Sequence, residues 1–173
     1  IVINMYLNCH TYYSLKYGTL APKELLEEAV KNGVETLVLT DINNTSAMLE
    51  VLRIAPKYKL NVRAGIDFRN GAKQQFVGIA HNNKGFQELN SFLSQHLHTK
   101  QAFPAQAPVF KHDSVVYPFQ GLLPKPLKNN EYIGIATEQL NKLRIKPHPM
   151  LLEKGVIWHT VSFKNKRQFN AHR

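Results

Sequence analysis

The 173-residue chain has a single cysteine, Cys9, which excludes an internal disulfide and any zinc cage built from thiolates. No apolar run approaches the length of a membrane span, and no stretch has the charged, apolar, small-residue order of a secretory leader. A cytoplasmic chain with no membrane partner is therefore expected. The nine glycines are dispersed, so no phosphate-cradling loop of the P-loop or dinucleotide type is present. Internal repeats and low-complexity tracts are lacking as well. Acidic residues are scarce, 12 against 22 Lys and Arg, for a net charge of +10. Such an excess fits a partner carrying phosphates and fits solvated lysines equally well, because the basic residues are scattered. They concentrate only at Lys164, Lys166, Arg167 and Arg173. The length suffices for one domain with a proper core. The chain opens at Ile1 and stops where a helical pattern begins, at 170–173, so a fragment of a larger protein is expected.

What is present reads as alternating strands and helices. Residues 3–8 form a short buried strand. Pro22 suits the first turn of a helix, where its missing N–H would be unpaired anyway. Leu25, Leu26, Ala29 and Val30 form that helix's apolar stripe, and Gly33 sits at its left-handed end. Thr36–Leu39 is a continuous apolar run, as in a strand buried on both faces. Strand, helix and strand with short links make a parallel βαβ unit. A second helix is expected from about Ser46, with Leu49, Leu52 and Ile54 inward and Pro56 ending it. Val62–Phe68 and Phe76–Ala80 read as a hairpin turning at Asn70-Gly71. Lys84–Leu97 carries Phe86, Leu89, Phe92 and Leu93 at helical spacing. From 98 to 130 the pattern dissolves: Pro104, Pro108, Pro118, Pro124 and Pro126 interrupt every candidate element, and an irregular segment is expected. Its apolar residues, Leu122 and Leu123 among them, should pack over the core or against a neighbouring domain. Tyr132–Ile135, Glu138–Arg144 and Gly155–Val161 read as strand, helix and strand.

Met5-Tyr-Leu-Asn-Cys-His10 is the stretch richest in chemical information. An apolar run ends in Asn8 and His10, which a strand points to one face while Cys9 points to the other. Two histidines at that spacing would chelate a metal; one Asn and one His chelate poorly. The stretch resembles the His-x-His opening of the polymerase-and-histidinol-phosphatase (PHP) domain. The following Tyr13-Ser-Leu and GTLAPKELLEEAVKNGVETLVLTD (residues 18–41) resemble the branch found at the N-terminus of the bacterial DNA polymerase III alpha subunit. The likeness is dense over residues 5–95, lapses, and returns near 155–173.

The resemblance implies an α/β fold, a PHP-type distorted (β/α)7 barrel with roughly seven mostly parallel strands, over a single domain spanning 1–173. It also implies metal ligands at the C-terminal ends of the strands, where several divalent ions polarise a phosphoester and activate water. At the matching positions His10, Asp41 and Asp67 keep residues able to bind metal. Asn8, Ile42, Gln75, Thr160 and Ser162 replace five others. Each survivor has a second reading. His10 fits a hydrogen-bonded strand-end residue, Asp41 a helix cap before Asn43-Asn44, and Asp67 an exposed strand-end charge. His159 and Ser162 lie close, but nothing supplies a third partner, so a Ser/His hydrolase is not expected. Tyr6, Tyr12, Tyr13 and Tyr17 fit core packing or base stacking.

Three N and O donors could hold at most one weak divalent ion, so no cofactor is expected, and the fragment itself is expected to be inactive. The resemblance then implies a scaffold whose partners are the remainder of the polymerase chain, a proofreading exonuclease subunit, and DNA through the parent enzyme. The opposing expectation is a metal-dependent phosphoesterase or 3′–5′ exonuclease.

Overall fold

β1 (Met5–Cys9), α1 (Pro22–Lys31) and β2 (Thr36–Leu39) form the expected parallel βαβ unit in the computed structural model, which describes residues 4–121, 126–145 and 149–172. Ile1, Leu122, Leu123, Pro124 and Arg173, together with the first residue of the strand expected over 3–8, lie outside the described residues. Glu24 closes the start of α1 by accepting from the Ala21 N–H at 3.0 Å, and Gly33 follows its end at φ 66°. Leu25, Leu26 and Ala29 are buried, whereas Val30 is 45 % exposed and lies outside the stripe.

α2 (Met48–Ile54) starts two residues later than expected and buries Met48 and Val51, leaving Leu49 75 % exposed. The inward face is set by Met48, Val51 and Ala55, so the predicted Leu49/Leu52 stripe is off by one position. Pro56 ends the α-helix, and residues Ala55–Tyr58 tighten into a 3-10 turn. β3 (Asn61–Asn70) and β4 (Lys73–Ala80) form the antiparallel hairpin, with Gly71 at φ 59°, a conformation that a Cβ disfavours. α3 (Asn83–Thr99) is capped by Asn82, whose Oδ1 accepts from the N–H groups of Lys84 and Gly85.

The segment expected to be irregular over 98–130 contains β5 (Asp113–Pro118), which is paired on both sides. The prolines mark its borders: Pro108 precedes it and Pro118 is its last residue, so none removes a ladder N–H from its interior. Ahead of it, Phe103, Ala107 and Phe110 are buried against Phe68, Phe76 and α3. Asn70 exchanges two hydrogen bonds with the Phe103 backbone, at 2.8 and 2.9 Å. These apolar residues are therefore buried within this domain. β6 (Glu131–Ala136) and α4 (Thr137–Ile145) follow as expected, while α5 (Pro149–Lys154) was not foreseen.

The last predicted strand divides at His159 into β7 (Gly155–Trp158), paired with β6, and β8 (Thr160–Val161), paired with β1. α6 (Lys166–His172) ends the described chain. The sheet order β7-β6-β5-β4-β3-β2-β1-β8 thus has its two edges joined by one residue, which makes a nearly closed barrel. Counted as one run, β7 and β8 give the seven-stranded ring that was expected. Leu7, Val77, Val116, Tyr132 and Trp158 meet in one cluster although their strands are not all neighbours, so this cluster is the barrel interior. Leu37 and Leu39, Ile66 and Phe68, and Ile133 and Ile135 point the other way, under the helices.

Candidate functional site

The C-terminal ends of β1, β2, β3 and β8 meet at one mouth of the barrel, and there the chain gathers its buried polar residues. Asn8, His10, Asp41 and Asp67 are all at most 2 % exposed. His10 leaves β1 with its Nε2 3.1 Å from Asp67 Oδ2 and its Nδ1 2.9 Å from Ser162 Oγ. A carboxylate only accepts, so Nε2 carries a proton and donates. Nδ1 pairs with the Ser162 hydroxyl, which can either donate or accept.

β3 supplies Asp67 and, two residues on, Arg69, which strand alternation places on the same face. Arg69 Nε and Nη2 donate to Asp67 Oδ2 at 3.0 and 2.7 Å, and Gln74 Nε2 adds a third contact at 2.9 Å. Burial alone would push the Asp67 carboxyl up; the hydrogen bonds and positive charge of His10 and Arg69 outweigh it and hold the group below the usual carboxylate range. Asp67 Oδ1, also buried, accepts nothing.

Gln74 takes the place expected of Gln75 because of a bulge. Phe68 pairs with Phe76 but Arg69 pairs with Gln74, so Gln75 is the extra residue. Its side chain donates to the Lys73 carbonyl at 3.0 Å.

Asp41 is not part of the His10–Asp67 group, nor does it cap α2. Its Oδ1 accepts from the Thr11 N–H at 2.7 Å and the Ser14 hydroxyl at 2.6 Å, and its Oδ2 accepts from the Thr11 hydroxyl at 2.7 Å. It thereby pins the loop after β1. Gly18 permits that fold, since a Cβ there would overlap the Thr11 carbonyl. Ile42 donates its backbone N–H to Ser14 Oγ at 2.9 Å and bridges to Asp67 in the sheet. Asn8 donates to Thr160 Oγ1 at 2.8 Å and accepts from Thr40 Oγ1 at 2.7 Å. The amide and hydroxyls that replace expected ligands therefore satisfy one another. Thr11, Ser14, Thr40, Arg69 and Gln74 were not foreseen; Arg69 was within reach of the period-2 rule that paired Asn8 with His10.

Ser162 has found an imidazole with a carboxylate behind it, but the imidazole is His10 and not His159, whose ring lies 6.3 Å from that of Tyr6. The contact order is that of a Ser–His–Asp relay. Its chemistry is muted by Arg69, which already neutralises Asp67, and by burial that leaves Ser162 7 % exposed. Of the tyrosines, Tyr6 and Tyr13 pack on the core, Tyr12 stacks on Tyr13 at 4.7 Å, and Arg69 lies 4.9 Å from the Tyr17 ring centroid. Lys164 forms an ion pair with Glu28 of α1 at 2.8 Å, so part of the basic C-terminal run is neutralised within the domain.

A parallel-rich, nearly closed ring of strands with helices outside it, and with buried His and Asp at its strand ends, is an α/β barrel. The PHP domain family model matches residues 7–123, more than half of the chain, and the chain belongs to that family. It is similar to the DNA polymerase III subunit alpha of Ureaplasma parvum serovar 3, with 30 % identity over 95 residues, 55 % of this chain and 10 % of the relative. The chain thus spans about a tenth of that relative's length. An amidohydrolase from Chromobacterium violaceum, with bound sulfate and no metal, aligns at a TM-score of 0.44 and 21 % identity over 56 % of this chain and 34 % of that one. A protein assigned as a metal-dependent phosphoesterase from Bifidobacterium adolescentis aligns at 0.44 and 18 % over 55 % and 33 %.

The residues do not fit the metal cluster that the family resemblance implies. Both ring nitrogens of His10 are engaged, Asp41 is turned to the loop, and Asp67 already faces a guanidinium. Among the described residues, no group of three or more His, Cys, Asp or Glu is placed to hold an ion.

Proposed function

We propose that this chain is the PHP domain of a replicative DNA polymerase whose parent chain carries out DNA-directed DNA synthesis, and that the domain's own metal site is degenerate. It serves as a scaffold: the remainder of the polymerase chain packs on it, a proofreading exonuclease subunit docks there, and DNA is met through the parent enzyme. The family match and the polymerase relative support the first part. One observation carries the second: Arg69 sets a permanent cation 2.7 Å from Asp67, where a metal ion would otherwise balance the carboxylate. A guanidinium in that place repels a divalent cation and brings no bound water to activate.

The second reading, a metal-dependent phosphoesterase or 3′–5′ exonuclease, draws on Asp67 Oδ1, a buried oxygen with no donor. Turnover of an aryl phosphate and of a 3′-labelled primer, with manganese or zinc added, separates the two. The scaffold reading expects no chelator-sensitive turnover. Turnover abolished by Asp67→Asn and by His10→Ala would overturn it.

A further inference from the structure

The opposite mouth of the barrel, where the parallel strands begin, holds a cavity of about 520 Å³. Its wall comes from Leu7, Val38, Ile79 and Val156, and Arg63 and His81 stand among its polar lining. The polar groups there are mostly committed. His81 Nε2 lies 2.8 Å from Ser114 Oγ, and Asn61 donates to Thr36 Oγ1 at 3.4 Å. Arg63 differs: its Nη1 donates to the His81 carbonyl at 3.2 Å, and no carboxylate among the described residues lies within ion-pair distance of it.

We propose that this mouth binds a small amphipathic monocarboxylate, with its carboxylate on Arg63 and its apolar body against Leu7, Val38, Ile79 and Val156. Arg63 is exposed at the rim of the apolar lining, so its guanidinium fork is free to meet a planar carboxylate there. The apolar wall calls for a chain or ring behind that charge, and the volume lies within the usual range for small-ligand sites. The site lies at the end of the barrel remote from His10 and Asp67 and does not depend on how they are read.

Octanoate and its uncharged twin octanamide provide the test, by calorimetry and by methyl NMR on the folded chain. Octanoate should bind saturably at one site and shift the methyl signals of Ile79 and Val156. Octanamide should bind about tenfold more weakly, the loss of one charge-assisted contact. Arg63→Gln should lower octanoate affinity to the octanamide level, and Ile79→Trp, which fills the cavity, should abolish both. Unsaturable binding, equal binding of acid and amide, or shifts confined to methyls outside this mouth would overturn the proposal. Should Arg63→Gln not fold, the acid–amide comparison in the unsubstituted protein decides the matter.

Discussion

The two mouths of the barrel each carry an arginine from β3, and the two arginines do opposite things. At the C-terminal mouth Arg69 is paired with Asp67, and His10, Gln74 and Ser162 complete a buried network. At the N-terminal mouth Arg63, on the same face of the same strand, has an apolar cavity beside it and, among the described residues, no carboxylate within ion-pair distance. At one end the charges meet one another inside the chain, and at the other Arg63 stands exposed beside the apolar lining. Polar residues at a barrel mouth thus indicate a ligand site only where their partners are not already inside the chain.

The largest effect is expected from Asp67→Ala, which leaves Arg69 and His10 without their carboxylate. Removing one member of a buried pair typically costs about 3–5 kcal/mol, and urea unfolding should show a loss of that order. Arg69→Met should cost somewhat less, about 2–3 kcal/mol, because His10 and Gln74 still serve the carboxylate. It should also move acid unfolding. Asp67 is held below the ordinary carboxylate range, so its contribution is present above that range and is lost as pH falls through the depressed value. Without the guanidinium that loss should begin at higher pH, which a melting series from pH 2 to 6 would reveal.

Asp113 shows the fate of a buried carboxyl with no cation. Neither of its oxygens has a donor, and Glu88 faces it as a second acid. Burial first, and then the Glu88 charge, push its pKa up to about 7. The folded state therefore binds a proton that the unfolded state releases. The stabilisation is fully present below the ordinary carboxylate range and is lost as pH rises through about 7. Asp113→Asn should flatten that slope and raise the melting temperature at pH 8. At the small end, Ser162→Ala should cost about 1 kcal/mol for one hydrogen bond, and Arg63→Gln should change stability by less than about 0.5 kcal/mol.

Much of the fold was legible because its periods are local. Pro22 and Gly33 bracket α1, Asn70-Gly71 makes the hairpin, and Phe86, Leu89 and Leu93 set the inward face of α3. β5 is hidden in the sequence because prolines surround it, although they only border it. At the site, His10 and Asp67 were found and do meet, whereas Asp41 is drawn away by Thr11 and Ser14. That contact depends on how the 11–20 loop folds back, which no spacing rule reports. Gln74 replaced Gln75 because a bulge shifts the phase of β4, and a strict alternation pattern cannot carry a bulge.

If Arg69 stands where a metal ion would, the protein's metal content will show it. The protein, purified without chelator and then offered manganese or zinc, should hold less than stoichiometric metal by native mass spectrometry and plasma emission. Its melting temperature should not change with chelator, although an ion present at one hundred times its dissociation constant would add about 2.7 kcal/mol. One or more equivalents of tightly held metal, lost in Asp67→Ala and in His10→Ala, would contradict the account.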